Sequence, residues 1–209
     1  EWLHSVESAD QLGIVATGEP WRASFSAINS RIRDLAGRQS SDIHQRLASV
    51  GVDVLIGRGV ITSKLTSSGT RLVRADLADG TSRELEAEMI LVATGATPRE
   101  LPDAKPDGER ILNWTQMYGL TEIPEHLVVV GSGVTGAEFA GAYNALGVKV
   151  SLVSSRERVL PNEDPDGAHV IEAVFARRGM NILSQSRAES VRRTESGVVV
   201  TLDDGREIE

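Results

Sequence analysis

Apolar residues in the first quarter of the chain recur at the spacing of a helix. The residues of this pattern are Phe25, Ile28, Ile32, Leu35, Ile43, Leu47 and Val50. Their spacings predict one long amphipathic helix or two successive helices, and Gly51 is placed to end the last of them. Short segments rich in apolar and β-branched residues then predict strands. These segments are Val52–Ile56, Val60–Ser63, Leu72–Leu77, Ser82–Leu85 and the uninterrupted apolar run Met89–Ala93.

The second half of the chain repeats much of this pattern. Strands are predicted at Leu127–Val130, Val148–Val153, Asn181–Leu183, Ala188–Arg193 and Val198–Leu202, and helices at Ala137–Leu146 and Val170–Arg178. The segment "VGVDVL" in the first half matches "RGMNIL" in the second, and "DLADGTSRELE" matches "TLDDGREIE". The pattern therefore predicts two copies of one unit, in which a helix and a strand precede a small antiparallel meander.

Comparison of the two copies predicts that the chain is an internal segment of a longer protein. The second copy opens with a glycine-rich turn that the first copy lacks, and it stops at Glu209 before a counterpart of "MILVATG". The alternative is a complete but asymmetric domain, which would leave long apolar sheet edges exposed. We therefore expect both copies to be partial and the isolated segment to be inactive.

The glycine-rich turn, residues 131–136, joins a predicted strand to a predicted helix. Gly131 suits a tight turn, Gly133 permits close approach of a pyrophosphate, and Gly136 lets the helix pack against the strand. The free N–H groups at the start of the helix and its dipole favour phosphate binding. The order of strand, glycine turn, helix and strand therefore indicates a dinucleotide site, with an unliganded structural turn as the alternative.

Composition narrows the classes of function. The net charge of -8 argues against non-specific nucleic-acid binding, and no apolar run approaches the ~20 residues of a membrane span. The segment has no cysteine, and its histidines lack metal-binding spacing; they are His4, His44, His126 and His169. The acidic run at residues 163–166 is interpreted as a helix start, with Asp164 or Asp166 as N-cap and Pro165 in the first turn, and not as a metal site. We expect no metal and a cytoplasmic protein.

The stretch "ILVATGATPR" between the two copies, together with the glycine motif, resembles the pyridine nucleotide–disulfide oxidoreductases, in the lipoamide dehydrogenase and glutathione reductase branch. The segments "PDGERILNW" and "GSGVTGAEFA" are similar to actinobacterial lipoamide-dehydrogenase-like NAD(P)H:quinone reductases. The resemblance implies an α/β fold of two Rossmann-like domains, each with a parallel sheet and a meander. Residues 1–119 would be most of an FAD-binding domain, and residues 120–209 most of an NAD(P)-binding domain.

The resemblance also assigns cofactor-binding residues. FAD contacts fall on Gly59, Ala93, Thr94 and Gly95, although Gly59 and Gly95 are also explained as strand-end turns. The NAD(P) contacts include Ala188 and the glycine motif, which comprises Gly131, Ser132, Gly133, Val134, Thr135, Gly136, Ala137 and Glu138. Glu138 would lie near the nicotinamide, with a surface acid that satisfies the helix dipole as the alternative.

Coenzyme preference depends on the position about 20 residues past the glycines, where NAD-preferring folds carry an acid. Here that position is Ser154, followed by Ser155 and Arg156. Hydroxyls and an arginine suit a ribose 2′-phosphate, so this loop predicts NADP or dual use. In the alternative, Arg156 and Arg158 are solvated charges and Glu157 binds the ribose.

The function implied by the resemblance is transfer of a hydride from NAD(P)H to FAD, followed by electron transfer to a quinone or similar small acceptor. Dihydrolipoamide dehydrogenase activity is the alternative, and a non-catalytic dinucleotide sensor is the competing class. The redox disulfide of the family would precede Glu1, and its acid–base His–Glu pair would follow Glu209. The resemblance further implies a homodimer.

Overall fold

The computed structural model describes residues 24–209, which divide into two compact units. The helix–meander unit comprises residues 31–97, and the glycine-turn unit comprises residues 24–30 and 98–209. Helix α1, Phe25–Ser49, crosses the boundary between them. The predicted domain boundary at residues 119 and 120 lies inside the glycine-turn unit, and the division into FAD and NAD(P) domains stays a prediction. His4 lies outside the described residues.

The helix–meander unit contains most of α1 and one antiparallel sheet. The apolar pattern forms a single helix of 25 residues, which settles the choice between one helix and two. The sheet has the order β1-β2-β3, with β1 at Gly57–Leu65, β2 at Arg71–Leu77 and β3 at Ser82–Ala87. Ile61 pairs with Val73 and Val73 with Leu85, so apolar side chains share one face of the sheet.

Two predicted strands of this unit are wrong. Val52–Ile56 is not a strand: Ile56 O accepts from Ala78 N at 3.0 Å, but β1 begins only at Gly57. Met89–Ala93 is also not a strand, and Met89 and Leu91 are 90% and 89% exposed. A strand requires a neighbour that accepts and donates its backbone hydrogen bonds along its length, and the described residues form no such ladder with either segment. Apolar composition alone therefore did not make them strands.

The glycine-turn unit contains a parallel sheet with helices and a second meander. The parallel sheet has the order β4-β5-β6, formed by His126–Val130, Lys149–Val153 and Asn181–Leu183. The connecting helices are α3, Val134–Ala145, and α4, Pro165–Arg177, and a short helix α2, Trp114–Met117, precedes β4. The meander has the order β7-β8-β9, formed by Ala188–Arg193, Val198–Leu202 and Glu207–Ile208. The predicted α/β class is confirmed.

The central strand β5 is buried on both faces, as expected for a parallel sheet covered on both sides. Val150 and Leu152 belong to a core cluster that includes the helix residues Tyr143 and Phe175. Val153 belongs to a second cluster that includes Val200 and Leu202 of the meander. The helices and the meander therefore cover opposite sides of the sheet. Among the described residues, no helix has the length and apolar character needed to cross a membrane.

Side-chain caps define the starts of two helices. Asp164 caps α4 by accepting from the N–H groups of Asp166 and Gly167 at 2.9 and 3.4 Å, which confirms the predicted cap. Asn113 caps α2 and forms a capping box with Gln116. The sequence analysis did not predict α2, although Asn113 and Gln116 have the spacing of this motif.

A carboxylate holds the loop before α2 against β7. Oδ1 of Asp107 accepts from the N–H groups of Glu109, Arg110 and Ile111 at 2.8, 2.8 and 2.9 Å, and Oδ2 accepts from Arg193 at 3.0 Å. Burial alone would raise the pKa of Asp107, but the three N–H donors and the Arg193 guanidinium outweigh it and hold this pKa at about 2. The bonds therefore favour the ionised form of the Asp107 carboxyl.

We expect Asp107→Asn to remove the pH-dependent part of this stabilisation. Because the folded pKa of Asp107 lies below its unfolded value, the ionised carboxyl stabilises the fold above about pH 4, and this contribution is lost as the pH falls toward 2. Chemical denaturation should show a gap in the free energy of unfolding between the protein and the variant at neutral pH, which closes near pH 2. A gap that is constant across this range would contradict the assignment.

Candidate functional site

The glycine turn at the carboxyl end of β4 has the backbone geometry of a phosphate-binding loop. Gly131 has a φ of +110°, a conformation that favours glycine, and its N–H donates to the carbonyl of Val153 at 2.9 Å. Gly133 is the N-cap of α3, with extended backbone and no side-chain cap. The predicted turn role of Gly131 is confirmed.

Gly136 lies where the helix passes closest to the turn. A Cβ built on Gly136 would lie 1.9 Å from the carbonyl oxygen of Gly131, closer than any real contact. Only glycine therefore allows the first turn of α3 to approach the end of β4, and the predicted packing role of Gly136 is confirmed.

The N-terminal N–H groups of α3 face the open side of the turn. Gly131, Gly133, Val134 and Thr135 are exposed, and the first N–H groups of a helix have no intrahelical acceptor. Because no side chain caps them, these donors suit an anionic ligand such as a pyrophosphate. Glu138 is also exposed, one turn into the helix.

Two members of the predicted glycine motif have buried side chains. Ala137 is 5% exposed, and its N–H donates to the carbonyl of Gly133 at 2.9 Å, so its contribution here is to packing. Ser132 is 4% exposed, and its hydroxyl lies 2.6 Å from the Ser154 hydroxyl. The side chains of Ser132 and Ala137 are therefore not part of the exposed surface of the motif.

The predicted coenzyme loop follows β5 directly beside the glycine turn. Ser154 is completely buried, whereas Ser155, Arg156 and Glu157 are exposed. The backbone groups of Ser154 and Arg156 are held by a neighbouring segment: Ser186 N donates to Ser154 O at 2.8 Å, and Gln185 N donates to Arg156 O at 2.9 Å. The surface that the loop offers to a ligand is therefore formed by the residues after Ser154.

Ala188 lies at the first position of β7, two residues after the segment that holds the coenzyme loop. It is half-buried against the cluster that contains Val153 and Leu202. The glycine-turn unit thus brings the glycine motif, the coenzyme loop and Ala188 to the carboxyl end of its parallel sheet, where ligands of open α/β sheets bind.

The residues assigned to FAD by resemblance lie in the helix–meander unit. Gly95 has a φ of +72° and is exposed, as are Ala93 and Thr94. Gly59 lies within β1, and a Cβ there would meet nothing within 4 Å. It is instead Gly57 that packing requires, because its Cβ would lie 2.2 Å from the carbonyl oxygen of Asp76. The sequence analysis did not single out Gly57.

A cavity of about 1220 Å³ opens beside the glycine turn within the glycine-turn unit. Its wall includes apolar and aromatic side chains that the sequence analysis did not assign to a site: Leu112, Trp114, Met117 and Phe139. The Phe139 ring lies 5.7 Å from that of Tyr118. An apolar wall beside a phosphate-binding backbone suits a ligand that joins a flat ring to phosphates.

The described residues contain no cluster of acidic, histidine or cysteine side chains that could hold a metal ion. His126 begins β4, with Nε2 3.0 Å from the Ser151 hydroxyl and Nδ1 in contact with the Glu209 carbonyl. Burial lowers the pKa of the His126 imidazole, and this outweighs the contact with the Glu209 carbonyl. His126 lies at the opposite end of β4 from the glycine turn.

The protein-family model that describes pyridine nucleotide-disulphide oxidoreductases matches residues 3–209. The chain is 49% identical over 201 residues to an NAD(P)H dehydrogenase (quinone) of Mycobacterium tuberculosis, covering 96% of this chain and 41% of that protein. It is 31% identical over 204 residues to a dihydrolipoyl dehydrogenase of Zymomonas mobilis, covering 97% and 42%. The chain therefore spans less than half the length of these relatives.

Solved structures agree with this fold. The crystal structure of LpdA from Mycobacterium tuberculosis superposes with a TM-score of 0.88 at 47% identity, covering 99% of this chain and 44% of that one. A flavoprotein disulfide reductase, RclA of Escherichia coli, superposes with a TM-score of 0.71 at 23% identity, covering 97% and 42%. The second match supports the fold alone.

We expect Gly136→Ala to disrupt the turn. Its Cβ would meet a backbone oxygen that cannot move aside, so the variant should lose about 3 kcal/mol or more of unfolding free energy. Gly167→Ala is the matched control, because Gly167 is also the third residue of its helix but has nothing within 4 Å of its Cβ. That change should be neutral or stabilise by about 0.5–1 kcal/mol. Denaturant titration of both variants tests this, and equal stabilities would refute the packing role.

Proposed function

Because the chain belongs to the pyridine nucleotide-disulphide oxidoreductase family, we propose that its full-length protein is an FAD-dependent NAD(P)H oxidoreductase that passes electrons to a quinone or similar small acceptor. The observation that carries this proposal is the uncapped, exposed start of α3 beside the apolar cavity. The 49% identical relative named as a quinone-dependent NAD(P)H dehydrogenase supports the choice of acceptor.

The residues of this chain have separate parts in the proposed reaction. The α3 N–H groups and the backbone of Gly133 would bind the coenzyme pyrophosphate, and the apolar wall with Phe139 would exclude water from the ring. The exposed turn at Ala93–Gly95 fits close approach of FAD, because Gly95 carries no side chain and has the positive φ that this turn requires. When bound, the flavin supplies the redox chemistry by accepting a hydride from NAD(P)H.

The acceptor is the point on which the two candidate enzymes differ. Dihydrolipoamide dehydrogenase activity remains the second candidate, favoured by the 31% identical relative of that name. Steady-state oxidation of NAD(P)H by the full-length protein with a quinone or with lipoamide separates the two. A folded protein that binds the dinucleotide but reduces neither the quinone nor lipoamide would favour the third possibility, a non-catalytic dinucleotide sensor. Assembly as a homodimer stays a prediction from the family resemblance.

We propose that Ser155 and Arg156 determine coenzyme choice, with NADP or dual use. Both are exposed, and no hydrogen bond or ion pair from a described residue reaches the Arg156 guanidinium. A guanidinium that is free to form charge-assisted bonds suits the 2′-phosphate of NADPH. Glu157, also exposed, is the acid that would bind the ribose hydroxyls if NAD were preferred.

FAD binding is expected to depend on Gly95. The full-length protein should purify yellow, and Gly95→Ala should lower its FAD content and affinity. Gly69→Ala is the matched control, because Gly69 also has a positive φ and open space around its Cβ. Both changes should cost about 1–2 kcal/mol of stability through backbone strain, but only the first should affect FAD. Equal FAD binding by the two variants would show that Gly95 is not part of the FAD site. A colourless full-length protein that cannot be reconstituted with FAD would refute the proposal that the protein is a flavoenzyme.

Arg156→Ala is expected to weaken NADPH alone. Loss of a charge-assisted contact worth about 1.5–3 kcal/mol should raise the KM for NADPH about tenfold or more and leave that for NADH nearly unchanged. Arg192→Ala removes the same charge from an exposed residue of β7 and serves as the control. If Arg156→Ala affects both coenzymes equally, the arginine does not bind the 2′-phosphate, and Glu157 becomes the residue to test.

A further inference from the structure

Two buried serines link the glycine turn to the coenzyme loop. Ser132 Oγ lies 2.6 Å from Ser154 Oγ, and the two residues are 4% and 0% exposed. Ser132 belongs to the turn that precedes α3, and Ser154 directly follows β5. Both hydroxyls are buried, so this pair is internal to the protein and is not part of its exposed surface.

The Ser154 hydroxyl of this pair is also hydrogen-bonded to the backbone of Arg156. Ser154 Oγ accepts from Arg156 N at 3.1 Å and donates to Arg156 O at 3.2 Å. A hydroxyl has one proton, so when Ser154 donates to Arg156 it receives its own second bond from Ser132. The result is a directed chain from Ser132 through Ser154 to Arg156.

The glycine turn is also bonded to the far end of the loop. Ser132 O accepts from Leu160 N at 2.8 Å, and Ser132 Oγ lies 3.4 Å from Arg158 O. Ser132 therefore contacts the loop at Ser154, before Arg156, and through its backbone at Leu160, after Arg158. When the Ser132 hydroxyl donates to Ser154, it has no second proton for Arg158 O. A loop held at both ends by buried bonds presents its exposed side chains in one orientation.

We propose that Ser132 and Ser154 are positioning residues for coenzyme recognition. Their hydroxyl pair joins the backbone that binds the pyrophosphate to the loop that carries Arg156, and so fixes the distance between the two anionic groups of NADPH. This inference rests on the proposed function. It assigns Ser154 an indirect role, in contrast to the expectation that its hydroxyl itself binds the ribose phosphate.

The pair should act on one coenzyme only. NADPH needs the turn and the Arg156 side chain at the same time, because the pyrophosphate and the 2′-phosphate are covalently joined. NADH lacks the second phosphate and so has no group for the Arg156 side chain to bind. Loosening the loop should therefore weaken NADPH while the turn, held by Gly131 and Gly136, continues to bind NADH.

The test uses the full-length holoenzyme with Ser132→Ala, Ser154→Ala and the double variant. We expect Ser132→Ala to raise the KM for NADPH roughly three- to tenfold relative to the KM for NADH, the cost of one buried hydrogen bond, and Ser154→Ala to raise this ratio by at least as much, because it also removes the two bonds to Arg156. Inhibition by adenosine 2′,5′-bisphosphate should weaken in parallel, and inhibition by adenosine 5′-monophosphate should not. The double variant should be no worse than Ser154→Ala alone, because that change already removes the link between the two hydroxyls together with both bonds to Arg156.

Ser151→Ala provides the matched control. Ser151 is 1% exposed on β5, and its hydroxyl is hydrogen-bonded to His126 and Asn181 instead of to the coenzyme loop. This variant should lose comparable stability with no change in either KM. Ser132→Cys, which keeps an atom at the γ position and weakens the donor, repeats the test if Ser132→Ala does not fold.

Three results would overturn the inference. An equal rise in KM for both coenzymes would mean that the pair supports the turn in general, and additive effects of the two changes would mean that the serines act separately. Unchanged KM values in folded variants would remove the positioning role. If the unmodified enzyme oxidises NADH but not NADPH, the proposed coenzyme use itself fails, which is distinguishable because it appears before any substitution.

Discussion

The contact between the first turn of α3 and the carbonyl of Gly131 is the constraint on which the glycine-turn unit depends. It places the start of a helix against the end of a strand with no side chain between them. The first N–H groups of α3 have no intrahelical acceptor and no side-chain cap, and α3 lies against a sheet whose central strand is buried. A side chain at Gly136 would separate the helix from the strand. The N–H donors of α3, the cavity beside them and the coenzyme loop would then no longer keep their positions relative to one another.

The sequence predicts those elements whose signals are local. Glycines with positive φ, the Asp164 cap and the apolar period of α1 each act within a few residues, and the structure has each of them. Val52–Ile56 and Met89–Ala93 failed because their apolar composition says nothing about a neighbouring strand. α2 was missed for the opposite reason: it is too short to show a period, and only its capping box marks it.

The candidate site likewise has features that the local sequence predicts and features that only the packing of the fold determines. The glycine motif and the loop after β5 are recognisable from the order of residues, and the structure brings them together at one end of the sheet. The direction of a side chain is set by packing, however, and the sequence could not show that Ser154 points inward while Arg156 stays exposed. Likewise, a glycine in a strand is visible in the sequence, but only the partner strand reveals that Gly57, and not Gly59, has a carbonyl against it.

The two meanders have a consequence for how this chain reaches its native state. Their second hairpins are built alike: each turn contains an Asp-Gly pair, and Gly80 and Gly205 have φ values of +86° and +84°. Strands with matching turns and similar apolar spacing compete for one another's partners, which makes mispaired intermediates a characteristic hazard of duplicated units. Synthesis from the N-terminus relieves the competition, because β1–β3 close before β7–β9 exist. Refolding of the whole chain from denaturant has no such order. We therefore expect mispaired intermediates to be more frequent in refolding from denaturant than in folding during synthesis.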